Sequence, residues 1–226
     1  MNSDTQIRAI VTGATGMVGE GVLQECLNHP QVESVLIINR KPSGFTHPKL
    51  MEIIHADFFD LTAIESQLSG YNACYFCLGV SSIGMKEPDY YKLTYTLTLN
   101  FAQTLSKLNP DMTFCYVSGA STDSTEQGKQ MWARVKGKTE NDLAKLPFNQ
   151  EFNFRPGLMR AAKRAKNVPS IYKYLSWLYP LLHMLFPSKS CDLAEVGQAM
   201  INVTLQGYPT RILEVRDIVE AAKKIN

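Results

Sequence analysis

The stretch that most constrains this chain is Val11-Thr12-Gly13-Ala14-Thr15-Gly16-Met17-Val18-Gly19, with three glycines at the spacing G-x-x-G-x-x-G. An apolar run, Ile7 to Val11, precedes it. A segment with Val18, Val22, Cys26 and Leu27 at helical spacing follows. Strand, tight glycine turn and helix N-terminus together form an anion cradle. Glycine lets the backbone approach a pyrophosphate, and the unpaired helical N–H groups with the helix dipole favour its charge. The pattern predicts a dinucleotide site at Gly13, Thr15, Gly16, Met17, Val18 and Gly19.

The rest of the first two thirds alternates strand-like and helix-like runs, the mark of a parallel sheet covered on both faces. Strands are expected at Ser34 to Ile38, Met51 to His55, Asn72 to Leu78, Thr113 to Val117 and Glu151 to Phe154. A short helix is expected around Ala63 to Leu68. A longer one opens at Pro88, with the stripe Leu93, Leu97, Phe101, Leu105 and Leu108, and another spans about Lys129 to Leu146. Right-handed crossovers then imply an α/β, Rossmann-type doubly wound sheet of order 3-2-1-4-5-6. One domain covers residues 1–226, with 160–210 expected as small substrate-side elements. Within these, Asp192 with Glu195 reads as a capping pair before a helix carrying Val196, Met200 and Thr204. Arg211 to Val215 reads as a final edge strand, and Asp217 as a cap for a terminal helix.

Composition narrows the function classes. A net charge of +2 gives no field for nucleic acid, and no apolar stretch reaches the ~20 residues of a membrane span. Five scattered cysteines and a polar Met1 to Arg8 suit a reducing cytoplasm. Cys74 and Cys77 form a C-x-x-C pair, but odd separation in a strand turns them to opposite faces. No metal site is expected there, nor at the four histidines, which lack ligand spacing.

Cofactor choice is read at the end of the second strand, where Ile38-Asn39-Arg40-Lys41 offers two cations and no carboxylate. A guanidinium grips a phosphate through two hydrogen bonds and stacks on adenine, so Arg40 and Lys41 point to the 2′-phosphate of NADP. Asp57 and Phe58 are expected beside the adenine, and Cys77, Leu78 and Gly79 along the cofactor.

The chain resembles the short-chain dehydrogenase/reductase superfamily. Within it, the chain is similar to the atypical Tat-interacting-protein/oxidoreductase-like group and to bacterial nucleoside-diphosphate-sugar epimerase-like proteins. The resemblance rests on Thr12 to Gly19, Ile38-Asn39-Arg40-Lys41, Phe76-Cys77-Leu78-Gly79, Val135-Lys136-Gly137-Lys138 and Phe154-Arg155-Pro156-Gly157, in the family's order. It implies a Ser–Tyr–Lys site whose tyrosine and lysine lie four apart on one helix face. Lys136 takes the lysine place and would bind the nicotinamide ribose. Four residues earlier stands Trp132, whose indole donates a hydrogen bond but does not titrate usefully. The serine falls in Val117-Ser118-Gly119-Ala120-Ser121, so Ser118 or Ser121 would polarise a substrate carbonyl. The proton would come from water or from Tyr90 or Tyr91. Arg155, Pro156 and Gly157 would lay backbone beside the nicotinamide.

Two functions follow. One is an NADP-dependent oxidoreductase or epimerase-like enzyme acting on a small carbonyl or sugar-nucleotide substrate. The other is a non-catalytic NADP-sensing regulator or scaffold, motivated by the missing tyrosine. The basic cluster Lys163-Arg164-Lys166 reads as a solvated face or an anion contact. The aromatic run Tyr172-Tyr174-Trp177-Tyr179 reads as packing, a cleft roof, or a dimer or lipid surface; a homodimer or a protein partner is a further expectation.

Overall fold

A computed structural model describes residues 6–160 and 190–223. The basic cluster, the aromatic run and residues 161–189 of the expected substrate-side elements lie outside the described residues.

The expected alternation is present. Strands β1 (Ile7–Thr12), β2 (Val32–Asn39), β3 (Leu50–Ile54), β4 (Ala73–Phe76), β5 (Thr113–Val117), β6 (Gln150–Arg155) and β9 (Ile212–Glu214) make one sheet. Its order is β3-β2-β1-β4-β5-β6-β9 and every neighbouring pair is parallel. The chain reverses its direction of travel across the sheet between β1 and β4, and a cleft at such a switch point is where this class of sheet binds ligands. A separate parallel pair joins β7 (Leu158–Arg160) to β8 (Ser190–Asp192).

Two cores flank the sheet. On one face, α1 (Met17–Asn28), α5 (Leu193–Gln206) and α6 (Val215–Ala221) bury Val22, Leu23, Val196, Met200 and Ile218 against Val11, Tyr75 and Phe154. Helix α5 thus lies on α1 and covers the sheet, although it falls within the 160–210 stretch expected on the substrate side. Asp192 and Glu195 form the capping box that opens α5, as the sequence pattern implied. A second box, Glu214 with Asp217, opens α6.

On the other face, Phe58, Phe76, Phe101 and Phe114 build an aromatic core, with Phe101 stacked on Phe58 and edge-on to Phe76. The helix expected from Pro88 is a rod in three parts: α2 (Glu87–Tyr91), a π turn at Lys92–Thr96 and α3 (Leu97–Leu108). The π turn carries Tyr95, whose hydroxyl donates to Asp142 of α4 (Met131–Leu143) at 2.7 Å. Inserted residues of this kind shift the helix register and recur near functional sites. Strand β4 ends at Phe76, two residues before the apolar run does. Beyond it the Leu78 amide donates to the Thr12 hydroxyl at 3.3 Å, and the chain turns over the glycine loop.

Phe101 is fully buried between two other rings. Phe101→Ala should therefore destabilise the fold by about 3–5 kcal/mol, measured by urea denaturation.

Candidate functional site

The glycine turn has no room for side chains. Gly13 has φ +67°, and a Cβ there would lie 2.7 Å from the Cys77 carbonyl oxygen; a Cβ on Gly19 would lie 2.2 Å from the Gly13 oxygen. The turn is closed by the Gly16 amide donating to the Gly13 carbonyl at 2.8 Å, and α1 starts from Gly16. Thr15 and Gly16 are exposed, while Met17 and Val18 are half-buried. Gly13, Thr15, Gly16 and Gly19 therefore form an open backbone cradle at the amino end of a twelve-residue helix. Its shape and partial positive charge fit a pyrophosphate.

At the end of β2, Asn39 is buried and its amide donates to Glu52 of β3 at 2.8 Å. The Ser43 amide reaches the same carboxylate oxygen at 2.9 Å, and these bonds hold the Glu52 carboxyl below its usual range despite desolvation. Asn39 is thus turned into the sheet, and the exposed Arg40 and Lys41 stand at the strand end. Asp57 is exposed and accepts the Phe59 amide at 2.8 Å. Phe58 is buried, with its ring in the aromatic core. Cys77 and Leu78 are half-buried, with the Cys77 carbonyl and the Leu78 amide against Gly13, and Gly79 is exposed.

Across the switch point, the loop after β5 meets α4 and β6. The Lys136 ammonium donates to the Ser118 carbonyl. Burial pulls its pKa down to about 8, against the opposing charge of Glu140 one turn along the helix. The Ser118 hydroxyl is buried and donates to the Phe154 carbonyl at 3.2 Å, so it points into the sheet. Ser121 is the serine that faces open space: it is exposed, at φ +68°, and lines a cleft of about 910 Å³. Trp132 lines the same cleft beside Ser121, with Pro156, Gly157 and Leu158 beyond. Tyr90 is fully buried, burial raises its pKa, and it does not line this cleft. Among the described residues no tyrosine lines the cleft.

Two features escaped the sequence reading. The far wall of the cleft is Glu214 to Asp217, the β9–α6 junction. The Arg155 side chain does not face the cleft surface either; it is buried in an ion pair with Glu140. The available signal was a lone arginine ending the apolar strand Phe152-Asn153-Phe154 and a glutamate four residues after Lys136.

A parallel sheet of this order with a glycine cradle at its switch point is a dinucleotide-binding Rossmann fold. The chain belongs to the NAD-dependent epimerase/dehydratase family, whose family model matches residues 9–141. Among curated relatives it is 23% identical to protein FMP52-1, mitochondrial, of Scheffersomyces stipitis, over 96% of this chain and 99% of the relative. It is 27% identical to protein fmp52, mitochondrial, of Aspergillus clavatus, over 70% of this chain and 68% of that one. Solved structures share the fold. The Bordetella bronchiseptica enzyme WbmF in complex with NAD+ superposes with a TM-score of 0.67 at 14% identity, covering 97% of this chain and 78% of that one. The Helicobacter pylori ADP-L-glycero-D-manno-heptose-6-epimerase gives 0.65 at 15% identity, covering 96% and 80%. The expectation of a cytoplasmic address is corrected by the curated relatives, which are named mitochondrial. Free thiols report redox conditions, and those do not specify a compartment. Among the described residues no helix is long and apolar enough to cross a membrane.

The cradle makes a sharp test. Gly19→Ala should weaken dinucleotide binding by at least about tenfold, measured by calorimetry, because its methyl must displace the Gly13 carbonyl.

Proposed function

We propose that this protein is an NADP-binding member of its family that carries out oxidoreductase or epimerase-like chemistry on a small carbonyl or sugar-nucleotide substrate. The observation that carries the reading is that the glycine cradle after β1, the Lys136 ammonium at the Ser118 carbonyl after β5 and a roomy cleft after β5 and β6 all lie at the carboxyl ends of the parallel strands. Gly13, Thr15, Gly16, Met17, Val18 and Gly19 would hold the pyrophosphate. Arg40 and Lys41 would hold the 2′-phosphate; they are exposed, and Asn39 is already bonded to Glu52. Cys77, Leu78 and Gly79 would run along the cofactor, with Asp57 and the Phe58 backbone by the adenine. The Pro156-Gly157 backbone would border the nicotinamide. The bound nicotinamide supplies or accepts a hydride.

The chain's own contribution would be positioning and proton handling. Ser121, exposed in the cleft, fits a hydrogen bond to a substrate carbonyl better than the inward-turned Ser118. Lys136 would hold the ribose hydroxyls as an ammonium at neutral pH. With Trp132 in the tyrosine place, the proton would pass through water in the open cleft. That same tryptophan favours a second reading, a non-catalytic NADP-sensing regulator whose partner reads the loaded state.

Several relatives of known structure support the ligand class. WbmF is described with NAD+ and UDP, and a Methanobrevibacter ruminantium UDP-N-acetylglucosamine 4-epimerase with UDP-N-acetylmuramic acid. A homodimer or a protein partner is part of the same proposal.

Titrating NADPH and NADH against tryptophan fluorescence tests the cofactor: NADPH should bind at least about tenfold more tightly, and Arg40→Ala with Lys41→Ala should erase the difference. Equal affinities in the parent protein would sink the assignment of those two cations. NADPH affinity should also fall as pH rises past about 8, where Lys136 loses its proton, and Lys136→Met should flatten that dependence. Turnover over a carbonyl panel separates the two functions. Trp132→Tyr lowers an existing activity if the tryptophan belongs to a working site, and creates one from nothing if the site has decayed.

A further inference from the structure

Arg155 sits at the end of β6, behind the cleft, and bonds three separate elements. Its Nε and Nη2 donate to the two carboxylate oxygens of Glu140 on α4, at 3.0 and 2.5 Å. The same Nη2 donates to the Ser124 hydroxyl, in the loop after β5, at 2.6 Å. Its Nη1 donates to Glu214, at the β9–α6 junction, at 3.1 Å. The guanidinium and the Glu140 carboxylate keep only 9% and 2% of their side-chain exposure, so solvent screens this pair little.

Those three elements are the ones that wall the cleft. The loop after β5 presents Ser121, α4 presents Trp132, and the junction presents Glu214 to Asp217. Glu140 also lies one turn beyond Lys136 on the same helix, and its charge acts on that ammonium. A planar fork with five donors suits this task, because one rigid group bonds partners in several directions at once.

We propose that Arg155 and Glu140 are positioning residues that hold the three cleft walls in register and fix Lys136 at the Ser118 carbonyl. Neither is a catalytic residue. The consequence for the cofactor rests on Lys136 facing the nicotinamide ribose, as argued above, whereas the geometry of the clamp stands without it.

The test begins with the protein alone. Acetic anhydride labelling followed by peptide mass spectrometry gives the reactivity of Lys136 as a function of pH. Its midpoint in the parent protein should lie near 8. In Glu140→Gln the opposing carboxylate charge is gone, so the midpoint should fall. In Arg155→Met that carboxylate is no longer neutralised by the guanidinium, so the midpoint should rise. Where Arg155→Met does not fold, Arg155→Lys replaces it, with a smaller rise. A role limited to stability would loosen the cleft and hydrate Lys136 in both variants, moving both midpoints upward together. That result, or two unchanged midpoints, overturns the proposal.

A second arm compares 2′,5′-ADP, which reaches only the glycine cradle and Arg40-Lys41, with NADPH. The variants should leave 2′,5′-ADP affinity unchanged and weaken NADPH about tenfold, and Lys136→Met should add little to Glu140→Gln. Equal weakening of both ligands would overturn the proposal. Failure of the parent protein to bind NADPH would defeat the cofactor assignment, while the labelling experiment still decides the clamp.

Discussion

The backbone contact between Gly13 and Gly19 is the constraint on which the rest of the structure depends. With a Cβ at Gly19 only 2.2 Å from the Gly13 oxygen, and Gly13 itself at φ +67°, α1 can leave β1 at this angle only if both positions lack side chains. That angle lays α1 across the sheet, where Val22, Leu23 and Cys26 reach the core and α5 packs alongside. A second close approach lies at Gly13 itself, where a Cβ would come within 2.7 Å of the Cys77 carbonyl oxygen beyond the end of β4. The two approaches together leave the turn as an open row of amides.

The opposite side of the cleft is built by a different force. There the elements are tied through charge: Lys136 at the Ser118 carbonyl, the buried pair of Glu140 and Arg155, and Arg155 on to Ser124 and to Glu214, whose side chain is half exposed. Buried ion pairs contribute little net stability, because desolvating both partners offsets most of their attraction. Their directional bonds specify geometry instead. A cleft whose walls come from distant parts of the chain needs that kind of register more than it needs additional apolar contact.

How far the sequence was legible follows from the range of the forces involved. Glycine spacing, strand periodicity and the Asp192/Glu195 box are local, and each is found where the residues implied. The π turn at Lys92–Thr96 has no residue signature of its own. It places Tyr95 beside Asp142, forty-seven positions away, and only the packed structure brings the two together. Ser118 and Ser121 are equally good hydroxyls on paper. Their difference lies in a hydrogen bond to Phe154 across the sheet and in a left-handed backbone at Ser121.

Arg155 shows the limit most clearly. Read along the chain, it belongs to a strand-ending motif next to Pro156 and Gly157, and the motif suggests a role at the cofactor. Read in space, the cleft is lined by Pro156 and Gly157 and not by Arg155, whose guanidinium reaches back to a helix residue fifteen positions earlier and a strand residue fifty-nine positions later. A charged group at the end of an apolar strand has to find partners within its own length, since leaving it buried and unpaired is strongly unfavourable. The sequence contains that requirement but not the identity of the partners. Here the requirement is met by the helix that carries Lys136, so the demand for charge pairing and the placement of the candidate site are satisfied by the same contact.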